Sequence, residues 1–131
     1  MDSSTWYLEL KKPSWAPPGS LFGPVWSVLY ILIFWSFGTV FYQAATGLLP
    51  WVIAIPFILN LVFNFSFTYL QFGLKNNLLA SVDILLVLAT LIWAMVLVWP
   101  LLSWITLINL PYLLWVIFAT ALQLTITKLN Y

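Results

Sequence analysis

The chain has 131 residues, 64% hydrophobic and only 5% charged, with four lysines against three acids for a net charge of +1. A soluble domain carries about a quarter charged residues and a nucleic-acid binder carries a basic field, so the composition excludes both and points to lipid. Cys and His are absent, which removes disulfide frameworks, thiol chemistry, a Ser-His-Asp arrangement and the ligands of a zinc or di-iron site.

The length suits one domain, residues 1–131. Residues 1–20 form an arm ahead of the first apolar run. Met1 to Pro18 lacks the apolar core of a secretory signal, so the first membrane segment is expected to direct its own insertion. The arm carries Trp6, Tyr7, Trp15 and the prolines Pro13, Pro17 and Pro18. A residue before proline is biased away from helix, so the first helix is expected to begin after Pro18. A stiff aromatic arm of this kind serves either as a lid over the mouth of a bundle or as an anchor at the membrane interface.

From Pro13 to Leu74 no residue is charged, and between Lys75 and Lys128 the only charge is Asp83. A helix needs about 20 apolar residues to cross a bilayer core. Four segments qualify: Leu21 to Tyr42, Leu48 to Phe72, Leu78 to Trp99 and Leu101 to Leu129. The breaks fall at Thr46-Gly47, at Gly73 with Asn76-Asn77, and at Pro100. Lipid offers no partner for backbone N–H and C=O groups, and the runs do not alternate as barrel strands do, so helices are expected. Pro24 and Pro50 sit near segment starts, where a missing N–H costs little. Pro56 and Pro111 sit inside segments and are expected to kink them. The fold class is therefore an all-α integral membrane protein, a bundle of four transmembrane helices. Four crossings place Lys11, Lys12, Lys75 and Lys128 on one side, which the positive-inside rule makes cytoplasmic, with both termini.

Polar residues recur at helical spacing in two of the segments. Asn60, Asn64, Thr68 and Gln71 form one stripe, and Tyr112, Trp115, Ala119 and Gln123 another. Polar groups in lipid are costly unless they meet a partner or a cavity, so both stripes are expected to face inward. They act either as interhelical glue, about 0.6–2 kcal/mol per contact, or as ligand contacts. Asp83, about a turn and a half into the third segment, either reaches the interface or a neighbouring loop, or meets a ligand or proton. Among the nine tryptophans, Trp6, Trp15, Trp51, Trp99 and Trp104 suit an interfacial belt. Trp26, Trp35, Trp93 and Trp115 are expected deeper, where an indole either packs or lines a site for a flat apolar ligand.

The run Trp6-Tyr7 … Lys12-Pro13-Ser14-Trp15-Ala16-Pro17-Pro18 … Phe22-Gly23-Pro24-Val25-Trp26-Ser27-Val28-Leu29-Tyr30 resembles the hallmark of the TspO/translocator protein family, once called peripheral-type benzodiazepine receptors. Later runs fit the same pattern: Asn60 … Asn64, Phe72-Gly73-Leu74-Lys75-Asn76, Val82-Asp83-Ile84-Leu85-Leu86, and Pro111-Tyr112-Leu113-Leu114-Trp115 with Phe118-Ala119-Thr120. The resemblance implies helices two to five of a five-helix fold, with the first helix missing. It implies a pocket for porphyrins and other flat apolar ligands, covered by the arm as a lid containing Pro13, Pro17 and Pro18. It implies pocket contacts from Tyr7, Trp15, Trp26, Asn60, Asn64, Phe67, Trp115 and Ala119. It also implies a homodimer, with a prokaryotic plasma membrane as the expected location. The family's sterol pattern needs a Tyr that Leu122 to Lys128 does not contain.

The function expected is that of a membrane receptor or binding protein for porphyrin-like ligands, with a sensory or transport role, and with no catalytic residues, metal or cofactor assigned. The alternatives are a light-dependent, Trp-mediated porphyrin-degrading enzyme, a small transporter, and a purely structural helical partner. Transport usually brings repeats and a midplane ion site, and the chain shows no repeat.

Overall fold

The computed structural model describes residues 13–16, 21–74 and 76–130, apart from the side chains of Gln71 and Phe72. Among these residues every regular element is helical. Helix α1 spans Phe22–Ala45, and α2 spans Trp51–Thr68 before widening into a π-helical turn over Tyr69–Gly73. Helix α3 spans Asn77–Val98, the short α4 spans Ser103–Ile108, and α5 spans Leu110–Leu129. Helices α1, α2, α3 and α5 are each long and apolar enough to cross a membrane. The chain is an all-α integral membrane protein, with four such helices among the described residues.

The turns follow from local chemistry. At the end of α1, Gly47 takes φ +84°, a left-handed conformation that costs a side chain and suits glycine. The Leu48 N–H then reaches back to the Gln43 carbonyl at 2.8 Å and the Gly47 N–H to the Ala44 carbonyl at 3.3 Å, the Schellman closure. Pro50, extended, aims the chain into α2. At the start of α3, Asn76 Oδ1 accepts from the Leu79 N–H at 2.9 Å and caps the helix.

The last expected segment is divided. Pro111 lies in the first turn of α5 rather than kinking a continuous helix, and the chain breaks at Asn109. Pro111 has no N–H to donate, so the helix cannot run through it at no cost. The Asn109 side chain compensates, donating from Nδ2 to the Ile105 carbonyl at 2.8 Å and to Ser36 Oγ on α1 at 2.9 Å. Pro56, in contrast, stays within α2.

Packing is closest between α2 and α3 and next between α3 and α5. Helix α1 lies more loosely against α2. Phe37 of α1 meets Phe57 of α2 edge-on at 4.8 Å, and both are buried with Val40, Ile84, Leu91 and Tyr112. Toward the start of α1, contact with α5 is made by rings: Trp26 lies 6.4 Å from Tyr112 and 6.5 Å from Trp115. A space remains between the helices there.

Replacing Gly47 by Ala places a Cβ in the left-handed region. We expect a loss of about 1 kcal/mol in SDS-titration unfolding followed by far-UV circular dichroism, with the native spectrum unchanged before the transition.

Candidate ligand-binding site

The stripe Asn60–Asn64 on α2 must bond inside the bundle because lipid supplies no partner. Asn60 Nδ2 donates to the Val87 carbonyl of α3 at 3.0 Å and to Thr90 Oγ1 at 3.2 Å. Asn60 Oδ1 accepts from the Tyr112 hydroxyl of α5 at 2.8 Å. The Tyr112 oxygen in turn accepts from Asn64 Nδ2 at 2.7 Å. Asn64 Oδ1 accepts from the Tyr30 hydroxyl of α1 at 2.8 Å. Four membrane helices are thus joined by one continuous chain of hydrogen bonds. Asn60, Asn64 and Tyr112 are buried, and Tyr30 is half-buried.

Above this chain lies a cavity of about 330 Å³. Its walls come from α1 (Phe22, Gly23, Trp26, Tyr30), α2 (Asn64, Phe67, Thr68), α3 (Ile84, Val87) and α5 (Trp115, Ala119, Leu122, Gln123, Ile126). Trp26 and Trp115 meet at 88° with their centroids 6.5 Å apart, an edge-to-face pair. Phe22 packs edge-on against Trp115 at 5.7 Å, and Trp26 lies 5.5 Å from Tyr30. Ala119 keeps the α5 wall thin between Trp115 and Gln123. A pocket with mainly aromatic and aliphatic walls and a few fixed polar groups is the ordinary form of a small-molecule site.

Of the residues expected at the site, the structure brings Trp26, Asn64, Phe67, Trp115 and Ala119 to the wall of this one cavity. Asn60 lies behind the wall, committed to Val87, Thr90 and Tyr112. Trp15 packs edge-on against Phe118 of α5 at 5.7 Å. Pro13 opens a turn in which its carbonyl accepts from the Ala16 N–H at 3.0 Å. Tyr7, Pro17 and Pro18 lie outside the described residues. The other two tryptophans expected at depth face away from the bundle: Trp35 is 57% and Trp93 45% exposed, and Trp35 pairs with Trp104 at 5.6 Å. Asp83 is 4% exposed, and its Oδ2 has no hydrogen-bond partner among the described residues. It is not part of the cavity wall.

Tyr30 is the main site residue that sequence reading missed. The signal was present: Tyr30 follows Trp26 by four residues and so shares its face. Gln123 and Thr68 belonged to the two polar stripes and do reach the cavity. The model of the TspO/MBR family matches residues 1–129. The chain belongs to the TspO/MBR family. It is 40% identical over 126 residues to the tryptophan-rich protein TspO of Bacillus cereus, covering 96% of this chain and 81% of that protein. A tryptophan-rich protein TspO of Archaeoglobus fulgidus is 39% identical, over 96% of this chain and 80% of its own length. The human translocator protein is 31% identical, over 96% of this chain and 75% of its own length.

Removing the Tyr112 hydroxyl strands Asn60 Oδ1 and one Asn64 N–H inside the bundle. We expect Tyr112→Phe to lose about 1–3 kcal/mol of stability in the same SDS titration. A variant as stable as the parent would show that the hydroxyl makes no net contribution.

Proposed function

We propose that this membrane protein is a receptor or binding protein for flat, apolar ligands of the porphyrin kind, with a sensory or transport role. The observation that carries this reading is the cavity walled by the perpendicular rings of Trp26 and Trp115. Indole faces offer a broad surface for a planar molecule, and Ile84, Val87 and Ile126 give the cavity an aliphatic side. The names of relatives point the same way, among them a tryptophan-rich sensory protein of Cereibacter sphaeroides and the human translocator protein. Trp15, against Phe118, is placed by this reading in the cover over the mouth.

The reading carries an orientation. The cavity lies toward the start of α1, the end of α2, the start of α3 and the end of α5, the end of the bundle to which the lysines belong in sequence. By the positive-inside rule that end is cytoplasmic, in a prokaryotic plasma membrane, with both termini on that side. The homodimer implied by the family resemblance belongs to the same proposal.

The test is a titration of protoporphyrin IX into protein held in lipid nanodiscs, following tryptophan fluorescence. Trp26→Ala and Trp115→Ala are each expected to weaken binding about tenfold or more. Affinity unchanged in both variants would contradict the reading.

A further inference from the structure

Beside the seam between α1 and α2 lies a second space, about 450 Å³, walled by Phe34, Gly38 and Phe41 of α1 and by Leu61 and Phe65 of α2. Phe34 is 83% and Phe65 60% exposed, so this groove opens sideways, toward the acyl chains. Phe34 and Leu61 lie near the midpoints of their helices. The opening is therefore at the depth of the hydrocarbon core.

Among the described residues, Tyr30 alone belongs to the walls of both the groove and the ligand cavity. Its ring meets that of Trp26, a cavity residue, at 5.5 Å and that of Phe65, a groove residue, at 6.0 Å. The two spaces are thus one ring apart. Among the described residues one hydrogen bond joins α1 to α2, from the Tyr30 hydroxyl to Asn64 Oδ1 at 2.8 Å. Apolar contacts along the seam exchange with acyl chains at little net cost, because lipid is as apolar as the side chains. The hydrogen bond does not, since lipid offers neither group a partner. At this level of the bundle, resistance to parting α1 from α2 resides in Tyr30.

We propose that the groove is a lateral portal: flat apolar ligands dissolved in the bilayer reach the cavity through it, and Tyr30 is the gate. The proposal rests on the cavity being the ligand site and adds the path to it. An apolar ligand concentrates in the hydrocarbon core, and a side opening at that depth spares it a return to water. With the Tyr30–Asn64 bond made, the ring closes the cavity to acyl chains. With the bond broken and the ring swung aside, the two spaces join. A ligand crosses the same barrier in both directions, so the gate sets rates and leaves affinity alone.

The test is stopped-flow kinetics of protoporphyrin IX with the full chain in nanodiscs, read by tryptophan quenching, with uptake by empty nanodiscs measured alongside. Dissociation is started by mixing loaded protein with excess empty nanodiscs. Gly38 and Leu61 lie outside the cavity wall, and a Cβ at Gly38 meets nothing within 4 Å. The double variant Gly38→Phe/Leu61→Phe therefore fills the groove from both helices. Association and dissociation are expected to slow together, each about tenfold, with Kd within about twofold of the parent value. Unchanged rates, or a Kd altered through one rate alone, would overturn the proposal. Tyr30→Phe keeps the ring and removes the tie. Its association is expected to quicken about two- to tenfold, the net worth of one hydrogen bond. Association no faster than in the parent would overturn the proposal as well, and this arm stands even if the double variant does not fold. Ala119→Phe, which fills the cavity itself, tells the two levels apart. If it abolishes binding while the groove variant keeps the parent rates, the cavity remains the site and the portal alone falls. If it leaves binding intact, the cavity is not the site and the portal falls with it.

Discussion

An amide or hydroxyl inside a bilayer has to find its partner within the protein, and in this chain one set of four side chains meets that constraint together. Asn60, Asn64, Tyr112 and Tyr30 bond in sequence across α2, α5 and α1 and end on the Val87 carbonyl of α3. Apolar surface drives helix association only weakly in lipid, because acyl chains are as apolar as leucine. Directional bonds then decide which faces meet. The chain fixes the rotation of α2 and α5 about their axes. It thereby turns Phe67, Trp115, Ala119 and Gln123 toward one space.

The cavity is a consequence of unequal packing. Helix α3 packs closely against both α2 and α5, while α1 stands further off and is tied in by Tyr30, by the Phe37–Phe57 contact and by Asn109 reaching Ser36. Where α1 begins, rings bridge the distance and volume is left between them. Elements with fewer buried contacts lie at the low-stability end of a structure. Helix α1, with the Tyr30–Asn64 bond among its few ties, is therefore the element of the bundle held least firmly.

Much of this was legible in the sequence, and the parts that were not have physical causes. The uncharged run from Pro13 to Leu74 and the scarcity of charge beyond it announced a membrane bundle, and helical spacing announced the inward turn of Asn60 and Asn64 and of Tyr112, Trp115, Ala119 and Gln123, while the Gln71 side chain lies outside the described ones. Ala119 stood out because it was small among large neighbours. The break at Asn109 was hidden because Pro111 reads equally as a kink or as a helix start. Only the Asn109 side chain, bonding to α1, decides between them. Asn60 was expected at the ligand and Tyr30 was not. Both share helix faces with true wall residues, and one turn of depth separates a residue behind the wall from one in it. Trp35 and Trp93 show the limit of sequence position as a guide: an indole within an apolar segment still turns outward where lipid takes it as readily as protein does.

The orientation of the four deeper indoles tests the account most directly. Protein labelled with 5-fluorotryptophan, its resonances assigned by single Trp→Phe substitutions, can be placed in nanodiscs containing lipids spin-labelled along the acyl chain. The resonances of Trp35 and Trp93 are expected to broaden strongly, while those of Trp26 and Trp115 stay sharp and instead shift when a planar ligand is added. Broadening of Trp26 and Trp115 to the same degree as Trp35 would mean that these rings face the acyl chains, and a ligand cavity between them would be contradicted.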